Sequence, residues 1–297
     1  MASSSNILVS GQFYDGYVYK KLIETLGGSI SQGNIIFKED IWYLCELDSN
    51  ESLMIFLVIR TDELINYQYN HSEPELMVGV DFESFHRHSK SIGKKNSVEF
   101  QVKRDDAGQI VMALHSENMT SSIIYPINVI REKVEIPTYN QNRKPILIKG
   151  GEFSKICSSM GQLPNLSEDM IVISAYDRGF KIEAFESTGE SLKTKDFGSL
   201  STAEENILER DETTGEYSSI LSCENLTYIS EDSAKDGVIC RFAIEKSRIK
   251  ALARLDSLSH MGLIKFIFEK DRPMKMMCQV GSYGTIQIFV KNALNTT

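Results

Sequence analysis

No stretch of this 297-residue sequence is apolar for long enough to cross a membrane as a helix. The run from Leu53 to Ile59 is strand-sized, whereas a span needs ~18 apolar residues or more. The first residues, M-A-S-S-S-N-I-L-V-S, offer neither a basic n-region nor a long apolar core, so no secretory signal is expected. On that reading the sequons at Asn50, Asn118, Asn165 and Asn225 have no consequence, and an intracellular protein is expected. Cysteine is sparse and dispersed: Cys45, Cys157, Cys223, Cys240 and Cys278 form no C-x-x-C pair, which argues against a disulfide framework and a zinc cage. His86 and His88 make an H-x-H with no carboxylate or cysteine cluster beside it, so no metal site is expected. There is no P-loop, G-x-S-x-G or H-E-x-x-H, and Gly93-Lys94-Lys95 lacks the upstream glycine of a phosphate loop. The sequence therefore reads as neither an enzyme nor a cofactor binder.

What is present is an ordinary globular composition, 41% hydrophobic, at a length that points to two domains. The net charge of -9 argues at face value against nucleic acid. Its distribution argues the other way. Ser84 to Lys95 holds Arg87, Lys90, Lys94 and Lys95 without one acid. Lys20 and Lys21 head another helical stretch, Arg248, Lys250 and Arg254 recur on a third, and the acids gather between Ala203 and Glu216.

Val129 to Pro145 (V-I-R-E-K-V-E-I-P-T-Y-N-Q-N-R-K-P) divides the chain. Its two prolines and its lack of periodicity make it a connector. Its apolar members Val134, Ile136, Pro137 and Tyr139 predict that it lies on a surface. Before it, the pattern predicts a helix over Phe13–Leu26, strands to Val80, a helix over Asp81–Ile92 capped by Asp81, and strands ending at Ser121–Tyr125. After it come a strand to Lys149, a helix over Gly151–Met160, and paired strands ending at Phe185. A polar, acidic excursion over about 187–218 follows, then strands near Ile220, at Leu226–Ile229 and at Val238–Ala243, a helix over Glu245–Leu258, and three closing strands. Each half reads as strand, helix, strands, helix, strands, an internal duplication. The expectation is an α+β fold with antiparallel sheets on one side and two helices per half on the other. Its domains would be 1–128 and 146–297, joined by a linker at 129–145. The basic helical patches then share one layer, which would face a polyanion.

Several segments, in this order and spacing, resemble the proliferating cell nuclear antigen family of DNA sliding clamps. The helix V-Y-K-K-L-I-E-T-L (Val18 to Leu26) is similar to the family's first helix. L-D-S-N-E-S-L-M-I-F-L-V-I (Leu47 to Ile59) resembles its D-S loop and following strand. M-V-G-V-D-F-E-S-F-H-R-H-S-K (Met77 to Lys90) resembles the start of its second helix. I-P-T-Y (Ile136 to Tyr139) and K-G-G-E-F-S-K-I-C-S-S-M (Lys149 to Met160) resemble its linker end and third helix. D-R-P-M-K-M-M-C-Q-V and G-T-I-Q-I-F-V (Asp271 to Val280, Gly284 to Val290) resemble its closing hairpin.

The resemblance implies a ring, usually a homotrimer, with sheets outside and helices lining a hole around duplex DNA. It implies a processivity factor without catalysis or cofactor, acting at sites of DNA replication, in the nucleus or, for a viral member, a viral replication factory. Implied partners are non-specifically held double-stranded DNA, a clamp loader, and polymerases and repair proteins with short aromatic-bearing motifs. Implied DNA contacts are Lys20, Lys21, Arg87, Lys90, Lys94, Lys155, Arg248, Lys250 and Arg254. Gly27, Ser158 and Gln162 depart from the family by standing where many clamps carry a cation or histidine. The implied peptide pocket comprises Leu47, Val134, Ile136, Pro137, Pro273 and Phe289. Lys291-Asn292 replaces the usual A-P, so partner motifs are expected to differ. Subunits would pair through the strand at Ser121–Tyr125 and the one ending near Phe185. A subunit of a hetero-trimeric checkpoint-type ring, or a monomeric DNA-binding processivity factor, is the alternative.

Overall fold

The computed structural model describes residues 6–127 apart from 118, then 134–140, 144–186 apart from 165, 191–199, 209–210, 217–218, 238, 240–259 and 262–293. The chain forms two compact units, Met1–Ile136 with Gln279–Gln287, and Pro137–Cys278 with Ile288–Thr297. The division falls inside the connector. The strands expected near Ile220 and at Leu226–Ile229, and the linker stretches 129–133 and 141–143, lie outside the described residues.

The first unit runs β1 (Ile7–Phe13), α1 (Gly16–Gly27), β2 (Gln32–Phe37), β3 (Ile41–Leu47), β4 (Leu53–Arg60), β5 (Ile65–Tyr69), β6 (Leu76–Asp81), α2 (Phe82–Ser89), β7 (Ser97–Lys103), β8 (Gln109–His115) and β9 (Thr120–Pro126). β5-β1-β7-β8-β9 form one antiparallel sheet, and β4-β3-β2-β6 lie side by side in another. The helix expected from Phe13 begins later. Phe13 ends β1, and the Asp15 carboxylate caps α1 by accepting from the N–H groups of Tyr17 (2.9 Å) and Val18 (3.1 Å). Phe13 is wholly buried, its ring 5.1 Å from Tyr19 and 4.9 Å from Tyr283. Tyr283 belongs to the chain's last hairpin tip, and its hydroxyl accepts from the Asp15 N–H at 2.8 Å.

The second unit repeats the order: β10 (Ile146–Lys149), α3 (Gly150–Met160), β11 (Leu166–Ala175), β12 (Arg178–Glu186), β13 (Ser191–Ser199), the two-residue strands β14 (Glu209–Arg210) and β15 (Tyr217–Ser218), β16 (Cys240–Glu245), α4 (Lys246–Leu252), β17 (Leu263–Ile267), β18 (Met274–Val280) and β19 (Gly284–Val290). A 3-10 segment, Ala253–Leu258, continues α4. One sheet has the order β13-β12-β11-β16, and β10-β17-β18 pair in another. Phenylalanines fill this core: Phe180 lies 5.0 Å from Phe197 and 4.8 Å from Phe266, with Phe153 5.0 Å from Phe266.

β13 corrects the sequence reading. The sequence places Ser191 to Ser199 in a polar, acidic excursion, yet Phe197 buries against Phe180 and anchors a strand at the end of its sheet. The strand ending near Phe185 is therefore interior, with β13 on one side and β11 on the other. The expected edge at Ser121–Tyr125 is β9, which does stand at the end of its sheet.

Candidate nucleic-acid and partner interfaces

The helix layer of the first unit is organised by local chemistry. Asp81 caps α2 as expected, accepting from the N–H groups of Glu83 (2.9 Å) and Ser84 (3.2 Å) and from Ser84 Oγ (2.8 Å). Burial pushes its pKa up, but these hydrogen bonds and the Arg87 charge outweigh it and hold the carboxyl below its ordinary 3.8. A carboxyl depressed in the folded state contributes stability above its unfolded pKa and loses it as pH falls through the folded one. Asp81→Ala is expected to cost about 1 kcal/mol near neutral pH. The difference from wild type should shrink in acid below the ordinary carboxylate pKa, as read by urea unfolding at several pH values.

α1 and α2 pack closely because Gly27 has no side chain. A Cβ there would lie 3.0 Å from both the Phe82 carbonyl oxygen and His86 Cβ. This gives a packing reason for the absence of a cation at that position. His88 bonds Tyr125 through Nδ1 (3.0 Å), so half of the H-x-H is structural.

The expected DNA contacts differ in how free they are. Arg87 and Lys90 are exposed at the end of α2, and Lys155 is exposed on α3. No ion pair among the described residues engages any of the three. Lys20 is held instead: its ammonium donates to the carbonyls of Lys90 (3.0 Å) and Ile92 (3.2 Å), complementing the negative end of α2. Lys21 pairs with Glu24 at 2.7 Å. The Tyr17 ring carries Lys21 and the exposed Lys94, each ammonium 5.4 Å from its centroid. The sequence reading missed Tyr17, although its i,i+4 spacing from Lys21 was a signal. In the second unit, Lys250 and Arg254 are exposed, four residues apart. Arg248 is only 18% exposed and sits 3.7 Å from Glu245. The Lys250 stem crosses the end of α3, where a Cβ on Gly161 would meet its Cγ at 2.6 Å.

The expected peptide-pocket residues fall in both units. In the first, Leu47 is half-buried at the end of β3. Val134 and Ile136 line a cavity of about 230 Å³ with Ile36, Tyr43, Cys45 and Met77. The Cys45 thiol donates to the Val134 carbonyl at 3.6 Å, and burial pushes its pKa up to about 11, so it is not a thiolate near neutrality. In the second unit, Pro137 and Pro273 are half-buried and Phe289 is 2% exposed. Tyr139 lies over Phe289, ring centroids 5.9 Å apart, and its hydroxyl donates to the Pro273 carbonyl at 2.7 Å. Burial raises the Tyr139 pKa further above the ordinary phenol range. Lys275 stands over both rings, which the sequence reading did not find. Among the described residues there is no group of three or more side chains able to hold a metal ion.

No protein-family model matches the sequence. A probable DNA polymerase sliding clamp of Acanthamoeba polyphaga mimivirus is 27% identical over 146 residues, 45% of this chain and 31% of the relative. A DNA polymerase sliding clamp of Archaeoglobus fulgidus is 25% identical over 169 residues, 57% of this chain and 64% of the relative. The chain thus spans about a third of one curated relative and just under two thirds of the other. Among solved structures, proliferating cellular nuclear antigen from Entamoeba histolytica matches at a TM-score of 0.72 and 15% identity, covering 96% of this chain and 99% of that one. A PCNA2–PCNA3 complex from Sulfolobus tokodaii matches at 0.70 and 14%, with the same coverage. At these identities the structural likeness is one of fold, and it bears out the α+β clamp architecture.

Proposed function

We propose that this chain, a divergent relative of the DNA polymerase sliding clamps with the fold of proliferating cell nuclear antigen, is itself a DNA sliding clamp. It would close into a ring around duplex DNA and tether polymerases and repair enzymes. Its domains would be 1–128 and 146–297, with the linker at 129–145 between them. The observation that carries this reading is the fold match over 96% of the chain. The exposed cations on α2, α3 and α4 support it. Weak, numerous, sequence-independent phosphate contacts suit a protein that must slide, because tight ones would brake it. An acidic chain bearing exposed cations on its helices would hold DNA on those helices and off the remaining surface.

In this reading Arg87, Lys90, Lys155, Lys250 and Arg254 touch phosphates directly. Lys21 and Lys94 form a second rank around Tyr17, and Lys20 fixes the end of α2. Partner peptides would use Leu47, Val134, Ile136, Pro137, Pro273 and Phe289. The site of action is wherever the host or virus replicates DNA, and a loader opens the ring. The protein does no catalysis.

Solution mass tests the ring. Light scattering across a dilution series is expected to give about three times the 33.6 kDa of one chain. A single-chain mass at every concentration would overturn the homotrimer and favour a ring built with other subunits, or a monomeric factor.

A further inference from the structure

Lys275, in the second unit, is a cation to which neither the DNA-binding reading nor an ion pair among the described residues gives a role. Lys275 is the second residue of β18, where alternation buries Met274, Met276 and Cys278 and turns Lys275 and Met277 outward. Its ammonium lies 5.3 Å from the Tyr139 ring centroid and 5.5 Å from that of Phe289. On the β17 side, the residue directly across the ladder is Ile267, which is apolar. Among the described residues no carboxylate pairs with Lys275. The acid near this corner, Glu269, accepts the Asn140 N–H at 3.1 Å through its own carboxylate.

Two aromatic faces attract an ammonium, but a ring face replaces water poorly for a group with three N–H donors. Burial accordingly pulls the Lys275 pKa below its ordinary value. An apolar side chain would pack on Tyr139 and Phe289 without that cost. In the tethering reading, Tyr139 and Pro273, both half-buried, would form the apolar part of the docking surface over the buried Phe289, and Lys275 would supply a half-desolvated positive charge beside them. The complementary ligand is apolar or aromatic with a carboxylate beside it.

We propose that Lys275 is a specificity-determining residue for partner docking, selecting segments that place an aspartate or glutamate next to the aromatic group seated on Tyr139 and Pro273. The inference rests on the partner-tethering reading above and narrows it to acidic motifs. It differs from a general electrostatic preference, because the chain is acidic overall and would otherwise repel such segments.

The test uses the full chain and synthetic peptides carrying an aromatic pair in a helical turn. Glutamate is placed at each flanking position in turn and compared with glutamine and lysine there, with affinity read by fluorescence anisotropy. At one or more positions the glutamate peptide is expected to bind wild type about tenfold tighter than its glutamine counterpart. Lys275→Met should abolish the preference while retaining the apolar contact. Lys275→Arg should keep it, and Lys275→Glu should transfer it to the lysine peptide. Equal affinity of glutamate and glutamine peptides at every position, with binding retained, overturns the inference and leaves the tethering reading standing. Binding of no peptide to wild type overturns the docking reading itself, and this inference with it.

Discussion

Replacing Arg87, Lys90 and Lys155 together by glutamine is expected to weaken low-salt binding to a short duplex by at least about tenfold and to flatten the salt dependence. Each phosphate contact contributes a slope of about 0.9 in log K against log salt, so three lost contacts remove about 2 to 3 units. These three are chosen because they are exposed and no ion pair among the described residues restrains them. Lys21 and Lys95 face Glu24 and Glu117 at 2.7 and 3.4 Å, so each should contribute less. Lys20 is unsuitable as a probe, since its removal would strip two carbonyls at the end of α2 of their donor. A control variant, Lys103→Gln at the exposed end of β7, should leave both affinity and slope unchanged. If the triple variant keeps the wild-type slope, these helix cations do not contact DNA.

How much of this was legible beforehand depended on the range of the interaction. Asp81 was readable as a cap because an aspartate, an N–H two residues on and a helical period are all local. Repetition of strand and helix order was readable for the same reason, summed over each half. β13 was not, because Ser191 to Ser199 carries serines, lysines and an aspartate, and its reason to be a strand is Phe197 finding Phe180 across the ladder. The start of α1 was misread because Phe13 and Tyr14 continue an apolar pattern, while the cap that fixes the boundary is Asp15.

Site residues divide in the same way. Exposure of Arg87 and Lys90 followed from helical spacing. The retention of Lys20 by carbonyls seventy and seventy-two positions away did not, nor did the meeting of Lys275, Tyr139 and Phe289, which depends on strand register and on the path of the linker end. The cation's place in a sequence says what charge is available. Only the fold says whether that charge is spent.

If the chain closes into the proposed ring, Ile124→Glu is expected to convert it into single chains. A sheet edge with unpaired N–H and C=O groups invites another strand, and the described edges are not equally open. β16 is covered at its edge by Asn292, which accepts from the Ala243 N–H and donates to the Arg241 carbonyl, both at 2.9 Å. β5 pairs with β1 through a register break, and Asn66 sits at φ 51°, an irregularity that blunts that edge. In the sheets β5-β1-β7-β8-β9 and β13-β12-β11-β16 that leaves β9 and β13 as open ends, and each presents an apolar side chain: Ile124 is 59% exposed and Leu192 39%. Antiparallel pairing of β9 with a neighbour's β13 would bury both. Full burial of an isoleucine is worth about 1.5–3 kcal/mol, and a glutamate in its place loses that and adds the cost of desolvating a carboxylate. The loss recurs at every interface of a closed ring, so light scattering at micromolar concentration should fall from the three-chain mass to that of one chain. Leu192→Glu should do the same from the opposite edge. Ile65→Glu, at the 40% exposed position on β5, should leave the mass unchanged. An unaltered mass for Ile124→Glu would remove β9 from the interface, and loss of mass in Ile65→Glu alone would move the interface to β5.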